Sequence, residues 1–211
     1  MKNYVTYSLL AITVILIIFI TQAGSLTQDE KVTAFNTSLI HEGNGDFNKA
    51  IDELLKVYEK NKGSYLFNVR LGWLYYETKD FLNSKKYYRE AVKINPVSVE
   101  ALIGITFPLA ALNEWNEVQA AYENILKIDP NNFTANLRLG QIYLTNGSYA
   151  NARKCLELAN SLYPVEYEPN LSLGWTYYYL GNTAKAKELL TNALMLSPND
   201  SLATQGLKLV K

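Results

Sequence analysis

Nine residues have the types and the spacing to recognise another molecule: Arg70, Trp73, Tyr76, Phe107, Arg138, Gln141, Trp175, Tyr178 and Tyr179. Trp73, Phe107, Gln141 and Trp175 follow one another at intervals of 34 residues, and Arg70 and Arg138 stand two such intervals apart. Large rings give wide contact area with few rotatable bonds, and arginine adds charged or hydrogen-bonding contacts. The set therefore suits the docking of an extended or helical peptide. For Trp73, Phe107 and Trp175 the alternative is packing between successive segments of the chain. Tyr178 and Tyr179 are expected to stay open, because no complete interval follows them.

Bond-making chemistry finds no comparable set. The single histidine, His41, occupies the place that Tyr75 takes one interval later, which points to packing or a surface position. Cys155 has no histidine near it to activate a thiolate. Neighbouring carboxylates such as Asp52 and Glu53 point different ways on a helix, so they make no acid and base pair. No glycine-rich phosphate loop is present. We therefore expect no catalytic residue, no metal, no cofactor and no enzyme activity. Lysine plus arginine equals aspartate plus glutamate, 20 each among 211 residues, so no charge excess points to nucleic acid. One cysteine forms no internal disulfide, and packing must hold the fold.

The elements that position the recognition residues are legible in a repeat. Leu71, Gly72, Tyr75, Phe81, Tyr88, Ala91 and Pro96 mark one unit, and similar residues recur 34 positions on. Gly72 and Ala91 are small where two helices must approach. Leu71, Tyr75 and Tyr88 form a buried stripe at helical spacing, and Pro96 stops the second helix. Gly45, Gly147 and Gly181 fall where the chain must turn between helices. The pattern resembles the tetratricopeptide repeat, a helix-turn-helix unit. The resemblance implies an all-α, right-handed solenoid of five units, 31–64, 65–98, 99–132, 133–166 and 167–200, closed by a capping helix over 201–211. It also implies a concave groove lined by the first helices, where the nine residues above belong. Some members of the family grip a terminal carboxylate with lysine, asparagine or arginine at fixed groove positions. Here those places hold residues such as Val69, Leu137 and Trp175, so that role is rejected.

Departures from the pattern are informative. Thr37, Ser38 and His41 make the first unit polar, as a terminal unit can be. Pro108 lies inside a helix, where it removes one hydrogen bond and is expected to bend the helix or to cost about 3 kcal/mol. It is either a tolerated defect or an opening of the groove for a ligand. In the last helix Leu202, Leu207 and Val210 are expected to cover the fifth unit. The sequons beginning at Asn36, Asn132, Asn146, Asn170 and Asn199 read as by-products of asparagine-rich turns.

Residues 1–30 stand apart. Leu9 to Ile20 is apolar except for Thr13, with Lys2 before it and Asp29 and Glu30 after it. This reads as a cleaved export signal or as an uncleaved membrane anchor with an exported repeat domain. The sequence thus leads to a non-catalytic adaptor for a protein or peptide partner, held at the membrane by its N-terminus if that is retained. The alternative is a scaffold that associates with further copies of itself.

Overall fold

The structure, a computed structural model, describes residues 30–210. Among them there is helix, turn and no strand. The chain divides into two compact units, one ending at Ile94 and the other beginning at Asn95. The first contains α1 (30–43), α2 (Phe47–Tyr58) with a 3-10 turn at Glu59–Asn61, α3 (Tyr65–Glu77) and α4 (Phe81–Ile94). The second contains α5 (Val99–Ala111), α6 (Trp115–Ile128), α7 (Phe133–Thr145), α8 (Tyr149–Leu162), α9 (Tyr167–Tyr179), α10 (Thr183–Leu196) and α11 (Ser201–Leu209). The N-terminal apolar segment lies outside the described residues. Among those residues no helix is long and apolar enough to cross a membrane.

Several helices begin at a side-chain cap. Ser98, Asn132, Asn182 and Asp200 accept a hydrogen bond from the amide three residues on, at Ala101, Ala135, Lys185 and Ala203. Each cap satisfies an amide that the first turn would leave without a partner. Between the paired helices Gly45, Gly147 and Gly181 take positive φ of 77°, 73° and 78°. Lys79 and Asn113 do the same at φ 62° and 60° without being glycine, where a side chain costs about 1–2 kcal/mol.

Pairs of helices meet where glycine lets them. A β-carbon on Gly72 would lie 2.7 Å from the Tyr88 ring, one on Gly140 2.5 Å from Leu156 Cγ, and one on Gly174 2.9 Å from Leu190 Cγ. In the α5–α6 pair Thr106 takes the glycine's place and is buried. Its hydroxyl lies 3.2 Å from that of Tyr122, so a polar contact replaces the close approach. The first unit closes over Ala50, Ile51, Leu54, Phe67, Leu71, Leu74 and Tyr87. In the second, Leu137, Leu156, Leu173, Tyr177 and Leu190 lie at the centre of the larger cluster.

A buried asparagine recurs at the start of three helices. Asn68, Asn136 and Asn170 each donate two hydrogen bonds from Nδ2, to Lys62 O and Ser64 O, to Pro130 O and Asn132 O, and to Pro164 O and Glu166 O. Each amide thereby ties the preceding loop to the helix that follows it.

Three expectations are corrected or sharpened. Leu202 is 50% exposed rather than part of the covering face of α11. Ala203, Gly206 and Val210 are buried there with Leu207 packed beside them, because α11 is turned so that residues spaced three and four apart from Ala203 meet the core. Leu137, expected in the groove, is 4% exposed and belongs to the core of its unit. Helix α5 runs unbroken to Ala111 with Pro108 buried in its last two turns.

Candidate recognition surfaces

In the first unit, α1 and α3 lie side by side in the sense that Glu42 reaches two residues of α3. Glu42 is ion-paired with Arg70 and accepts a hydrogen bond from Trp73 Nε1 at 3.2 Å. The Arg70 guanidinium also lies 5.9 Å from the centre of the Phe35 ring, and burial pulls its pKa below the ordinary value. Trp73 stacks with Tyr76 at 6.2 Å, and Tyr76 meets Phe81 at 5.7 Å. Arg70, Trp73 and Tyr76 are thus brought together, with the charge of Arg70 already opposed.

In the second unit, Phe107 is 44% exposed on α5. On α7 and α9 a polar chain forms. Arg138 donates to Gln141 Oε1 at 2.9 Å and to Glu168 Oε2 at 2.8 Å, and Gln141 donates to Ser172 Oγ at 3.2 Å. Further along α9, Trp175, Tyr178 and Tyr179 form one cluster. The ring of Tyr178 lies 5.6 Å from Trp175 and 5.2 Å from Tyr179, and Trp175 and Tyr179 are 6.0 Å apart. Tyr178 and Trp175 also pack against the core, whereas Tyr179 is 50% exposed.

Sequence reasoning missed Glu42, Glu168 and Tyr149. The Tyr149 ring, at the start of α8, lies parallel to that of Tyr179 at 4.7 Å and 8°. A signal for them existed. Glu42 to Trp73, Arg138 to Glu168, Gln141 to Ser172 and Tyr149 to Tyr179 are separated by 30 or 31 residues. That is one interval of 34 less about one helical turn.

Tyr143 donates to Glu123 at 2.9 Å, and burial first, then that bond, pushes its pKa up to about 12. Tyr177 makes the equivalent bond to Glu157 and receives Lys185 Nζ at 3.0 Å. Burial pushes the Cys155 thiol above its ordinary pKa. His41 Nδ1 lies 4.0 Å from Asp46, a carboxylate that also pairs with Lys49 at 2.8 Å. Among the described residues no group of three or more histidine, cysteine, aspartate or glutamate side chains converges on a metal position.

Three family models described as tetratricopeptide repeat match residues 67–98, 109–168 and 168–200. An uncharacterized protein, ycf37 of Pyropia yezoensis, is 32% identical over 73 residues. That match spans 35% of this chain and 40% of the relative. Among solved structures, YrrB, described as a TPR protein with an unusual peptide-binding site, has a TM-score of 0.74 at 17% identity. The match covers 89% of this chain and 97% of YrrB. MamA reaches 0.72 at 19% identity over 80% of this chain and 92% of its own. A tetratricopeptide repeat protein from Parabacteroides merdae reaches 0.76 at 15% identity, over 86% and 72%. At such identities the likeness is one of fold.

Proposed function

This chain is a tetratricopeptide-repeat protein, and from that premise we propose that it is a non-catalytic adaptor whose first-helix surfaces hold a peptide or a segment of a partner protein. The observation that carries the reading is the exposure of large rings, Trp73, Phe107 and Tyr179, on helices whose other faces are closed in cores. Exposed rings leave apolar area in water, and covering it with a partner is favourable by roughly 25 cal/mol per Å². YrrB, of the same fold, is described as having a peptide-binding site, which fits the reading. Self-association has less support, since α11 exposes Gln205 and Lys208 between Leu202 and Leu209 and presents no continuous apolar face.

A pull-down with the full-length chain tests the adaptor role. Partners retained by the wild type should be lost, by about tenfold or more, in the Trp175→Ala, Tyr178→Ala double variant, since paired aromatic anchors dominate such interfaces. Equal recovery by a double variant that still shows wild-type helical circular dichroism would remove these rings from the mechanism.

The proposal extends to location. The apolar run Leu9 to Ile20 would hold the repeats at a membrane, with the repeat domain on the exported side, or be cleaved to release them. Fractionation of expressing cells with sequencing of the mature N-terminus decides between these two. A chain found intact in the soluble cytosolic fraction contradicts both.

A further inference from the structure

Helix α1 lacks a neighbour that later first helices have. In the first unit α2 lies against α3, and in the second α6 lies against α7, α8 against α9 and α10 against α11. Phe67 and Leu74 on α3, Pro169 and Thr176 on α9, and Ala203 and Val210 at α11 are all buried. Thr33 and Ile40 of α1 hold the same two places of the 34-residue interval, yet both are exposed, Ile40 by 64%. No described element precedes α1 to cover them. Val32 and Leu39, seven residues apart and so on nearly one line of the helix, are exposed beside them. From Val32 to Ile40 the sequence holds no charged residue, so the open face of α1 is aliphatic and neutral.

The charges that border this face are engaged. Glu30 lies 3.8 Å from Lys60, Lys31 Nζ lies 5.6 Å from the centre of the Phe67 ring, and Glu42 is ion-paired with Arg70. What stands nearest in the chain is apolar. Twenty-nine residues precede Glu30, among them the run Leu9 to Ile20, and the nine residues from Thr21 to Asp29 that join this run to α1 span at most about 30 Å. The run itself makes a poor water-facing cover for α1. It is apolar on every side except at Thr13, whereas the second helix α4 turns Lys86, Arg89 and Lys93 to solvent. A second copy fits no better, because its last helix would bring Gln205 and Lys208 against a face that has no charge to oppose them. A bilayer accepts the run and the face of α1 alike.

We propose that the outer face of α1, with Val32, Thr33, Leu39 and Ile40, rests on the surface of the lipid bilayer that holds the N-terminal run. This rests on the reading of that run as a retained anchor and gives the repeat domain a docking surface of its own. A helix lying in the interface sinks its apolar face about 5–10 Å into the boundary between headgroups and acyl chains. Three aliphatic side chains would bind a membrane weakly from solution. The anchor in the same chain makes the contact intramolecular, at an effective concentration set by the short link, so a weak contact suffices. The face carries no cation, and neutral headgroups therefore serve as well as anionic ones. The contact fixes how the first unit stands on the membrane.

The test uses the full-length chain reconstituted into phosphatidylcholine vesicles that contain lipid with a nitroxide quencher high on the acyl chain. An environment-sensitive fluorophore is attached through Ile40→Cys, in a Cys155→Ser background, and in a second protein through Leu82→Cys, on the exposed side of α4 in the same unit. Both sites face outward, so the labelled proteins should keep wild-type helical circular dichroism. The expected result is blue-shifted emission at residue 40 and quenching at least about twofold stronger than at residue 82, as burial at the acyl boundary requires. Salt should change it little, and a label introduced through Val32→Cys should behave like that at residue 40. Equal quenching at residues 40 and 82 overturns the inference. Blue-shifted emission at residue 40 without quenching by the lipid overturns it as well, since a second copy or the chain's own run would then cover α1. If the chain floats with the vesicles and residue 40 is not quenched, this inference alone falls. If the chain does not float with them, the anchor reading falls and takes this inference with it.

Discussion

Gly140→Val is expected to lower the unfolding free energy by about 3 kcal/mol, seen as an earlier midpoint in a urea melt. The first added carbon would sit 2.5 Å from Leu156 Cγ and 2.8 Å from Cδ2, with Cys155 Cβ at 3.3 Å. Leu156 has little freedom to retreat, because it is fully buried and lies in the same cluster as the fully buried Ala152 and Ala159. Either α7 and α8 move apart or Leu156 leaves its rotamer, and overpacking of this kind costs about 1–3 kcal/mol before β-branching is added. Removing glycine from a helix interior returns up to about 1 kcal/mol, so Gly140→Ala should lose less than Gly140→Val. Shortening the facing residue separates the causes. In the background of Leu156→Ala, Gly140→Val should lose much less than it does alone, a coupling that a double-mutant cycle reads directly. If the two substitutions add without coupling, close approach of α7 and α8 is not what Gly140 provides.

That pairing also shows why the fold was legible while much of the site was not. A small residue recurring at a fixed interval is visible in the letters alone, but its partner is not: Gly72 was expected to approach the small Ala91 and instead meets the Tyr88 ring, as Gly140 meets Leu156 and Gly174 meets Leu190. The turn glycines were legible for the same reason, since only a few residues accept positive φ. Lys79 and Asn113 adopt it too, and nothing in their types announced it for lysine. The recognition surface was harder because it depends on rotation and on polar partners. Leu137 turned inward and Leu202 outward once each helix met its actual neighbours. Arg70 and Arg138 were read as offering charge to a ligand, but Glu42 and Glu168 oppose them, and those partners stand off the repeat interval of 34, at separations of 28 and 30 residues. Asn68, Asn136 and Asn170 recur in register, yet asparagine between helices reads first as a turn former, which concealed their burial.

The buried asparagine yields the second large effect. Asn170→Leu is expected to destabilise the chain by about 2–3 kcal/mol even though leucine is close to asparagine in size. Asn170 is 1% exposed, and its Nδ2 donates to Pro164 O and Glu166 O, both at 2.8 Å. Each net hydrogen bond is worth about 1 kcal/mol, and a buried carbonyl left without a donor costs about 1–3 kcal/mol more. Burial of the apolar side chain offsets part of this, about 1.5 kcal/mol. The same substitution at an exposed turn would be almost neutral, so a wild-type melting midpoint for Asn170→Leu would show that the loop before α9 is held by something else. Asn170→Asp makes the argument through charge. The introduced carboxylate would face two carbonyl oxygens away from water, so its pKa in the folded state must rise above the ordinary value of about 3.9. A raised acid pKa means that the folded state binds the proton more tightly than the unfolded one. The destabilisation is therefore full at neutral pH and shrinks as pH falls through the raised value, where the protonated acid can donate one of the two lost bonds. The difference between Asn170→Asp and wild type should narrow between neutral pH and about pH 4, while that of Asn170→Leu, which has nothing to titrate at this position, should stay constant.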